Sequence, residues 1–121
     1  MAYERHELGR DGERAAEAHL RAHGYSIVER NFRCPLGEID LIALHRGTVV
    51  FIEVKTRRSA LAAPSDAVDP RKQRQLRRAA EWYVSRHRLE EHPVRFDVVA
   101  VWRDGDRVRC EVTQDAFGDT W

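Results

Sequence analysis

Residues 37–57 read GEIDLIALHRGTVVFIEVKTR, two apolar runs joined by the short polar segment HRG at 45–47. The first run predicts a β-strand from about Glu38 to Leu44, and the second predicts a strand from Thr48 to Lys55. A connection this short makes the two strands a hairpin. Since the segment VVFI at 49–52 has no polar position, we expect both faces of the second strand to be buried, at the centre of a sheet.

Three charged residues interrupt these apolar strands. Asp40 lies inside the first strand, and Glu53 and Lys55 are two residues apart in the second, so their side chains share one face. The hairpin lays the strand of Asp40 beside them, and the three charges converge. Burying these charges is costly unless they pair with one another or bind a metal ion. The residues alone leave two interpretations open, a structural ion pair between Glu53 and Lys55 and a metal-dependent active site.

A helix is predicted before the hairpin, over about residues 12–23. Apolar residues recur there at helical spacing, and Gly24 follows as a stop signal. Glu13 and Glu17 lie on the same stripe as these apolar residues. A strand over 25–33 follows the helix and leads into the hairpin.

The C-terminal half is predicted to contain a helix and a second hairpin. Residues 57–68 show no regular periodicity, and we expect them to form a mobile loop. A helix follows from the N-cap sequence DP at 69–70 to about residue 88. Strands over 94–102 and 107–113, joined by an Asp-Gly turn at 104–105, complete the order α-β-β-β-α-β-β.

This order, without internal repeats, predicts a single α/β domain over residues 1–121, with helices flanking a central mixed sheet of about five strands. The 121 residues are 42% hydrophobic and 34% charged, which leaves enough apolar side chains for one core. No stretch approaches the roughly 20 apolar residues that span a bilayer, and no export signal is recognised. Two distant cysteines indicate neither a disulfide framework nor a zinc site. We expect a cytoplasmic protein with no membrane partner.

The acidic residues near the hairpin have the chemistry of a divalent-metal site. Asp40 and Glu53, with Glu13 from the first helix, would supply the hard oxygen ligands that Mg²⁺ or Mn²⁺ prefers. Lys55 would then orient the attacking water and neutralise charge on a phosphate. Because 19 of the 21 basic residues are arginine, a lysine at this position favours a specific role for its compact ammonium group. Glycine-rich phosphate loops and dinucleotide fingerprints are absent, so we expect no small-molecule cofactor.

The charge is unevenly distributed, although the net charge is only +1. Residues 55–78 contain eight basic and two acidic residues, a local charge of +6. We expect this segment to guide a nucleic-acid backbone to the metal through phosphate contacts made by Arg57, Arg71, Lys72 and Arg74. A solvated helix face is the alternative interpretation.

Several stretches together resemble the YraN family, also called uncharacterised protein family 0102. They are GE at 12–13, GY at 24–25, RNFR at 30–33, GEIDLIA at 37–43, VFIEVKTR at 50–57 and RFDVV at 95–99. The resemblance covers about residues 8–117, and no motif residue is replaced. This family is similar in turn to archaeal Holliday-junction resolvases and to the PD-(D/E)XK nucleases, which implies a restriction-endonuclease-like fold.

The resemblance also implies roles for individual residues. Asp40 and Glu53 would bind the metal ion together with the backbone carbonyl of Val54, and Lys55 would be catalytic. The accessory acid of the first helix would be Glu13, eleven residues before the glycine that ends the helix.

Four further positions have interpretations of their own. Glu17, one turn after Glu13, is the alternative accessory acid. Gln73 corresponds to a polar residue often found on the helix after the catalytic strands, with a surface glutamine as the alternative. The proline that usually precedes the first aspartate of such nucleases is Ile39 here, as is normal for this family. Asp97 is interpreted as a buried structural acid paired with an arginine, in preference to a metal ligand.

The residues and the resemblance together predict an Mg²⁺- or Mn²⁺-dependent nuclease. It would hydrolyse phosphodiester bonds in branched or otherwise structured DNA during repair or recombination. The alternative is a non-catalytic nucleic-acid-binding or scaffold protein that retains the nuclease fold. The choice between DNA and RNA and the oligomeric state stay open, with a homodimer among the alternatives.

Overall fold

The structure is a computed structural model that describes residues 2–57 and 69–117. The predicted α/β class and the order α-β-β-β-α-β-β are confirmed. Of the loop predicted at 57–68, residues 58–68 lie outside the described residues. The elements in the described ranges are α1 (Ala2–Ala22), β1 (Tyr25–Cys34), β2 (Gly37–His45), β3 (Thr48–Arg57), α2 (Pro70–Arg86), β4 (Val94–Asp104) and β5 (Arg107–Thr113).

The five described strands form one mixed sheet in the order β1-β2-β3-β4-β5. β2 is antiparallel to both β1 and β3, and β4 is antiparallel to β5, whereas β3 and β4 are parallel. A parallel pair requires a crossover connection, and α2 lies within it. Because β3 lies between β2 and β4, it is the central strand that its apolar run predicted.

The two helices cover opposite faces of the sheet. Ala16 and Leu20 of α1 belong to one hydrophobic cluster, together with Val50 and Ile52 of β3. Phe51 belongs to the cluster on the other face. There α2 contributes its buried residues Leu76, Ala79, Ala80 and Tyr83. Alternate residues of β3 thus enter two different cores, which explains why the run at 49–52 contains no polar side chain.

Several boundaries differ from those predicted, and β3, for example, extends to Arg57 rather than ending at Lys55. α1 begins at Ala2 rather than near Gly12. Residues 2–8 are mostly strong helix formers, and a glycine inside a helix lowers its stability by only about 1 kcal/mol. α2 ends at Arg86, just short of residue 88. β4 extends to Asp104, so the turn before β5 lies at 105–106 rather than at 104–105.

The two cysteines form no disulfide. Cys34 lies at the end of β1 and Cys110 lies on β5, and both are free thiols. Since β1 and β5 are the two edges of the sheet, several strand spacings of about 4.8 Å separate them. Neither helix in the described ranges is long and apolar enough to pass through a membrane.

Gly12 allows α1 to approach the sheet closely. A Cβ atom at this position would overlap Oγ1 of Thr56, near the end of β3. Because glycine has no Cβ, it permits a close contact between α1 and β3 that any other residue would prevent. Because Glu13 is the next residue, the same contact limits the distance of its backbone from the sheet.

We expect the substitution Gly12→Ala to lower the free energy of unfolding by about 1 kcal/mol, since overpacking costs more than the gain in helix propensity. The clash should be relieved in the double variant Gly12→Ala, Thr56→Ala. Urea denaturation of the two single variants and the double variant gives the coupling energy, expected to be about 1 kcal/mol. Additive effects would mean that the two residues do not limit the approach of α1.

Candidate active site

β2 and β3 separate where the two acidic residues lie. Their antiparallel ladder ends at the pair Leu41–Ile52, so the next residues along the strands are Asp40 and Glu53. The backbone N–H of Val54 donates a hydrogen bond to Oδ2 of Asp40, with 2.8 Å between the two atoms. The carboxylate thus takes the place of a ladder acceptor, and this bond restricts its orientation.

Both carboxylates are removed from water and repel each other. Glu53 is 9% exposed, and Asp40 is half-buried. Burial raises the pKa of Asp40, although the N–H of Val54 opposes this rise. Burial, followed by the charge of Asp40, raises the pKa of Glu53 from 4.5 to about 7. Without a bound cation, Glu53 therefore ionises much less readily than an exposed glutamate does.

Two lysines partly offset this repulsion. Lys72, on the first turn of α2, places Nζ 4.0 Å from Oε1 of Glu53. Lys55, further along β3, is half-buried and also lowers the pKa of both Asp40 and Glu53, but less strongly than Lys72 does. The sequence had assigned Lys72 to phosphate binding alone. One feature could have indicated the contact with Glu53. If β3 and β4 are parallel, the helix that connects them starts near the end of β3 that bears the acids.

Glu13 is the acid of α1 whose pKa depends on the charge of Asp40. Burial and the charge of Asp40 raise the pKa of Glu13, and a hydrogen bond from the side chain of Asn31 lowers it. Glu17 instead forms an ion pair with Arg30 on β1, which lowers its pKa. Of the two acids of α1, Glu13 is thus the one whose pKa responds to Asp40, whereas Glu17 is paired with Arg30.

Asn31 is a residue of this region that sequence reasoning missed. It lies in β1 with a φ of 50°, a left-handed conformation in which asparagine is enriched. The motif RNFR at 30–33 contained it, but nothing local connected it with Glu13 on the preceding helix.

The acid pair has the donor set that a hard divalent cation prefers. No group of three or more His, Cys, Asp or Glu side chains in residues 2–57 and 69–117 comes close enough to hold a metal ion. Mg²⁺ typically takes only one or two protein carboxylates and keeps several waters. Asp40 and Glu53 fit this requirement, since a cation between them would also remove the repulsion that raises the pKa of Glu53.

The other predicted residues occupy different parts of the region. Gln73 is half-buried in the first turn of α2, on the side of Leu76 that faces the sheet. Arg71 and Arg74 are exposed on the same helix. Arg57 is half-buried at the end of β3. Arg71 and Arg74 are therefore the most accessible of the residues predicted to contact phosphate.

A buried acid on the α1 face of the sheet has a different character. Asp97 is 1% exposed, and Nε of Arg95 lies 2.9 Å from its Oδ1, which confirms the predicted structural pair. The hydroxyl of Tyr25 and the backbone N–H of Asp115 also donate to this carboxylate. Arg95 and Tyr25 border a cavity of about 530 Å³. The polar groups of this cluster satisfy one another, as expected for a buried acid that stabilises the fold.

Comparison with known proteins identifies relatives along almost the whole chain. The model of "Uncharacterised protein family UPF0102" matches residues 12–101, which include both acids and both lysines. A UPF0102 protein of Syntrophotalea carbinolica is 46% identical over 123 residues, covering all of both chains. One from Moorella thermoacetica is 48% identical over 120 residues, covering 97% of this chain and all of that protein. One from Symbiobacterium thermophilum is 49% identical over 112 residues, covering 91% of this chain and 95% of that protein.

The raised pKa of Glu53 predicts an unusual dependence of stability on pH. Between pH 4.5 and about 7 the folded protein keeps a proton on Glu53 that the unfolded chain has released. Stability in a chelator should therefore fall as the pH rises through this window, by about 3 kcal/mol. The variant Glu53→Gln should lose most of this dependence, with a smaller part remaining from Asp40 and Glu13, whereas Glu81→Gln, at an exposed position of α2, should keep it. Urea denaturation at pH 5, 6, 7 and 8 measures it, and parallel curves for wild type and Glu53→Gln would refute the assignment.

Proposed function

The chain belongs to the uncharacterised protein family UPF0102, and we propose that it is a divalent-metal-dependent nuclease that hydrolyses phosphodiester bonds of nucleic acids. One observation carries the proposal. Asp40 and Glu53 lie together at the point where β2 and β3 separate, and burial with mutual repulsion raises the pKa of Glu53 to about 7. Strongly perturbed carboxylates in such a position are typical of functional sites, because a fold has no structural need to keep them together.

The residues would divide the chemical work between them. When bound, an Mg²⁺ or Mn²⁺ ion would polarise a phosphate oxygen and lower the pKa of a water molecule. Asp40 and Glu53 would bind the ion with the carbonyl of Val54, while the N–H of Val54 keeps the Asp40 carboxylate oriented. Lys55 would orient the attacking water and stabilise the charge that develops on the phosphate.

Two residues from other elements would support this arrangement. Glu13 reaches the region from α1 and would hold a water molecule or complete the coordination of the ion. Gln73, in the first turn of α2, would position the water or the phosphate by hydrogen bonding. Both residues would assist, whereas the negative charges of Asp40 and Glu53 would be the main requirement for binding the ion.

The exposed arginines favour a polyanionic substrate. Arg71 and Arg74 lie on the first two turns of α2, the same part of the helix from which Lys72 reaches Glu53. A nucleic-acid backbone that contacts them would therefore pass close to the acid pair. Structured or branched DNA is the proposed substrate, since that is what the similarity to Holliday-junction resolvases implies.

A second candidate function is nucleic-acid binding without hydrolysis. It is favoured by the observation that Glu13 does not join Asp40 and Glu53 in a group of three metal-ligating side chains among the described residues. A protein of this kind would bind DNA through the same arginines but would not need a divalent cation.

Calorimetric titration with Mn²⁺ and a cleavage assay distinguish the two functions. We expect wild type to bind Mn²⁺ and to cleave at least one substrate in a panel of single-stranded, duplex, flap and four-way DNA. Asp40→Asn should abolish Mn²⁺ binding and reduce cleavage by about 100-fold or more, since a ligand of the reacting metal is lost. Asp106→Asn, in an exposed turn, is the matched control. If wild type folds but binds no Mn²⁺ at millimolar concentration, the nuclease proposal is wrong.

The salt dependence of DNA binding tests the basic surface. Replacing Arg71 and Arg74 by alanine should weaken binding to every sequence alike and reduce the slope of log K against log[salt] by about 2. The matched control replaces Arg107 and Arg109, two exposed arginines of β5, and should leave the slope unchanged. Fluorescence anisotropy between 50 and 200 mM salt, about the range in which such contacts are resolved, gives both slopes. Equal slopes for the two double variants would place the DNA on another surface.

A further inference from the structure

Among residues 2–57 and 69–117, Lys72 is the cation that forms an ion pair with Glu53, although it belongs to a different element. Its Nζ lies 4.0 Å from Oε1 of Glu53, within ion-pair range. Among the cations that lower the pKa of Asp40 and of Glu53, Lys72 acts more strongly than Lys55. In the protein without a metal ion, the charge of Glu53 is therefore balanced mainly from α2.

The backbone of Lys72 is held in place, whereas its side chain is partly exposed to solvent. Oδ1 of Asp69, the N-cap of α2, accepts a hydrogen bond from the N–H of Lys72 at 3.0 Å. The side chain of Lys72 is 29% exposed, whereas that of Glu53 is only 10% exposed. A lysine has a long flexible stem, so its ammonium group can move towards solvent without any movement of the helix.

A divalent cation and the Lys72 ammonium group in contact with the same Glu53 carboxylate would repel each other, because both are positive. The cation carries the larger charge and would bind both carboxylates, so the ammonium group is the one to leave. The exposed side of α2 next to Lys72 carries Arg71 and Arg74.

We propose that Lys72 is the counter-ion of the acid pair in the metal-free protein, and that a bound divalent cation displaces its ammonium group from Glu53 towards the phosphate backbone of the nucleic acid. Lys72 is thus a positioning residue that couples metal binding to substrate binding. The inference rests on the proposed function, since it requires that Asp40 and Glu53 bind a metal ion. It accounts for both contacts of one side chain, the ion pair in the structure and the phosphate contact expected from the sequence.

Calorimetric titration with Mn²⁺ alone tests the displacement. Lys72→Met removes the competing cation, so we expect the variant to bind Mn²⁺ about fivefold or more tightly than wild type. Arg78→Met, which removes one positive charge from an exposed position of the same helix, should change the affinity by less than about twofold. Equal affinities for the two variants, or weaker binding by Lys72→Met, would overturn the inference. If none of the three proteins binds Mn²⁺, the proposed function itself fails, which is a distinct result.

DNA binding with and without a divalent cation is a second measurement. If the ion pair were only structural, loss of Lys72 would have the same effect under both conditions. We expect Lys72→Met to bind a four-way DNA junction as wild type does in a chelator, but several-fold more weakly when Ca²⁺ is present. Arg74→Met should bind more weakly than wild type under both conditions. The inference is overturned if the loss for Lys72→Met is the same with and without Ca²⁺. Thermal melts check that the variants are folded, and Lys72→Gln replaces Lys72→Met in both experiments if the latter unfolds.

Discussion

The hydrogen bond from the Val54 N–H to the Asp40 carboxylate marks the point where β2 and β3 part, and the rest of the site depends on it. If the ladder continued beyond Leu41 and Ile52, the two strands would leave no room between them. Because the carboxylate satisfies the N–H of Val54, the strands separate without leaving a buried donor unpaired. The same bond keeps Asp40 close to Glu53, where the charge of Asp40 raises the pKa of Glu53.

The two helices pack against the sheet around this opening and so bring further charged groups to the acids. Gly12 lets α1 approach β3, so that Glu13 reaches the charge of Asp40 from one face of the sheet. On the other face of the sheet, α2 belongs to the crossover connection between the parallel strands β3 and β4. Its first turn carries Lys72, which reaches Glu53. Neither helix could reach the acids without the apolar clusters that hold it against the sheet, since these clusters set its distance and angle.

Asp97 is an example of a buried acid that stabilises the fold. Its carboxylate accepts hydrogen bonds from Arg95, Tyr25 and the backbone of Asp115, and so connects β1, β4 and the segment after β5. Asp40 and Glu53 have no comparable set of partners among the described contacts, and the pKa of each is raised. The contrast supports a functional interpretation of the pair, because stability alone would favour apolar residues at these two positions.

The sequence by itself determined the strands, their order and the acids that face each other across the hairpin. The run at 49–52 identified the central strand because burial on both faces excludes polar residues, and the two-residue period placed Glu53 and Lys55 on one face. Only the tertiary structure decided which cation accompanies Glu53 and which acid of α1 approaches Asp40. Lys55 is the nearer lysine along the chain, yet Lys72 makes the ion pair. Such contacts depend on how two helices pack against opposite faces of a sheet, whereas sequence periodicity describes only the local geometry of each element.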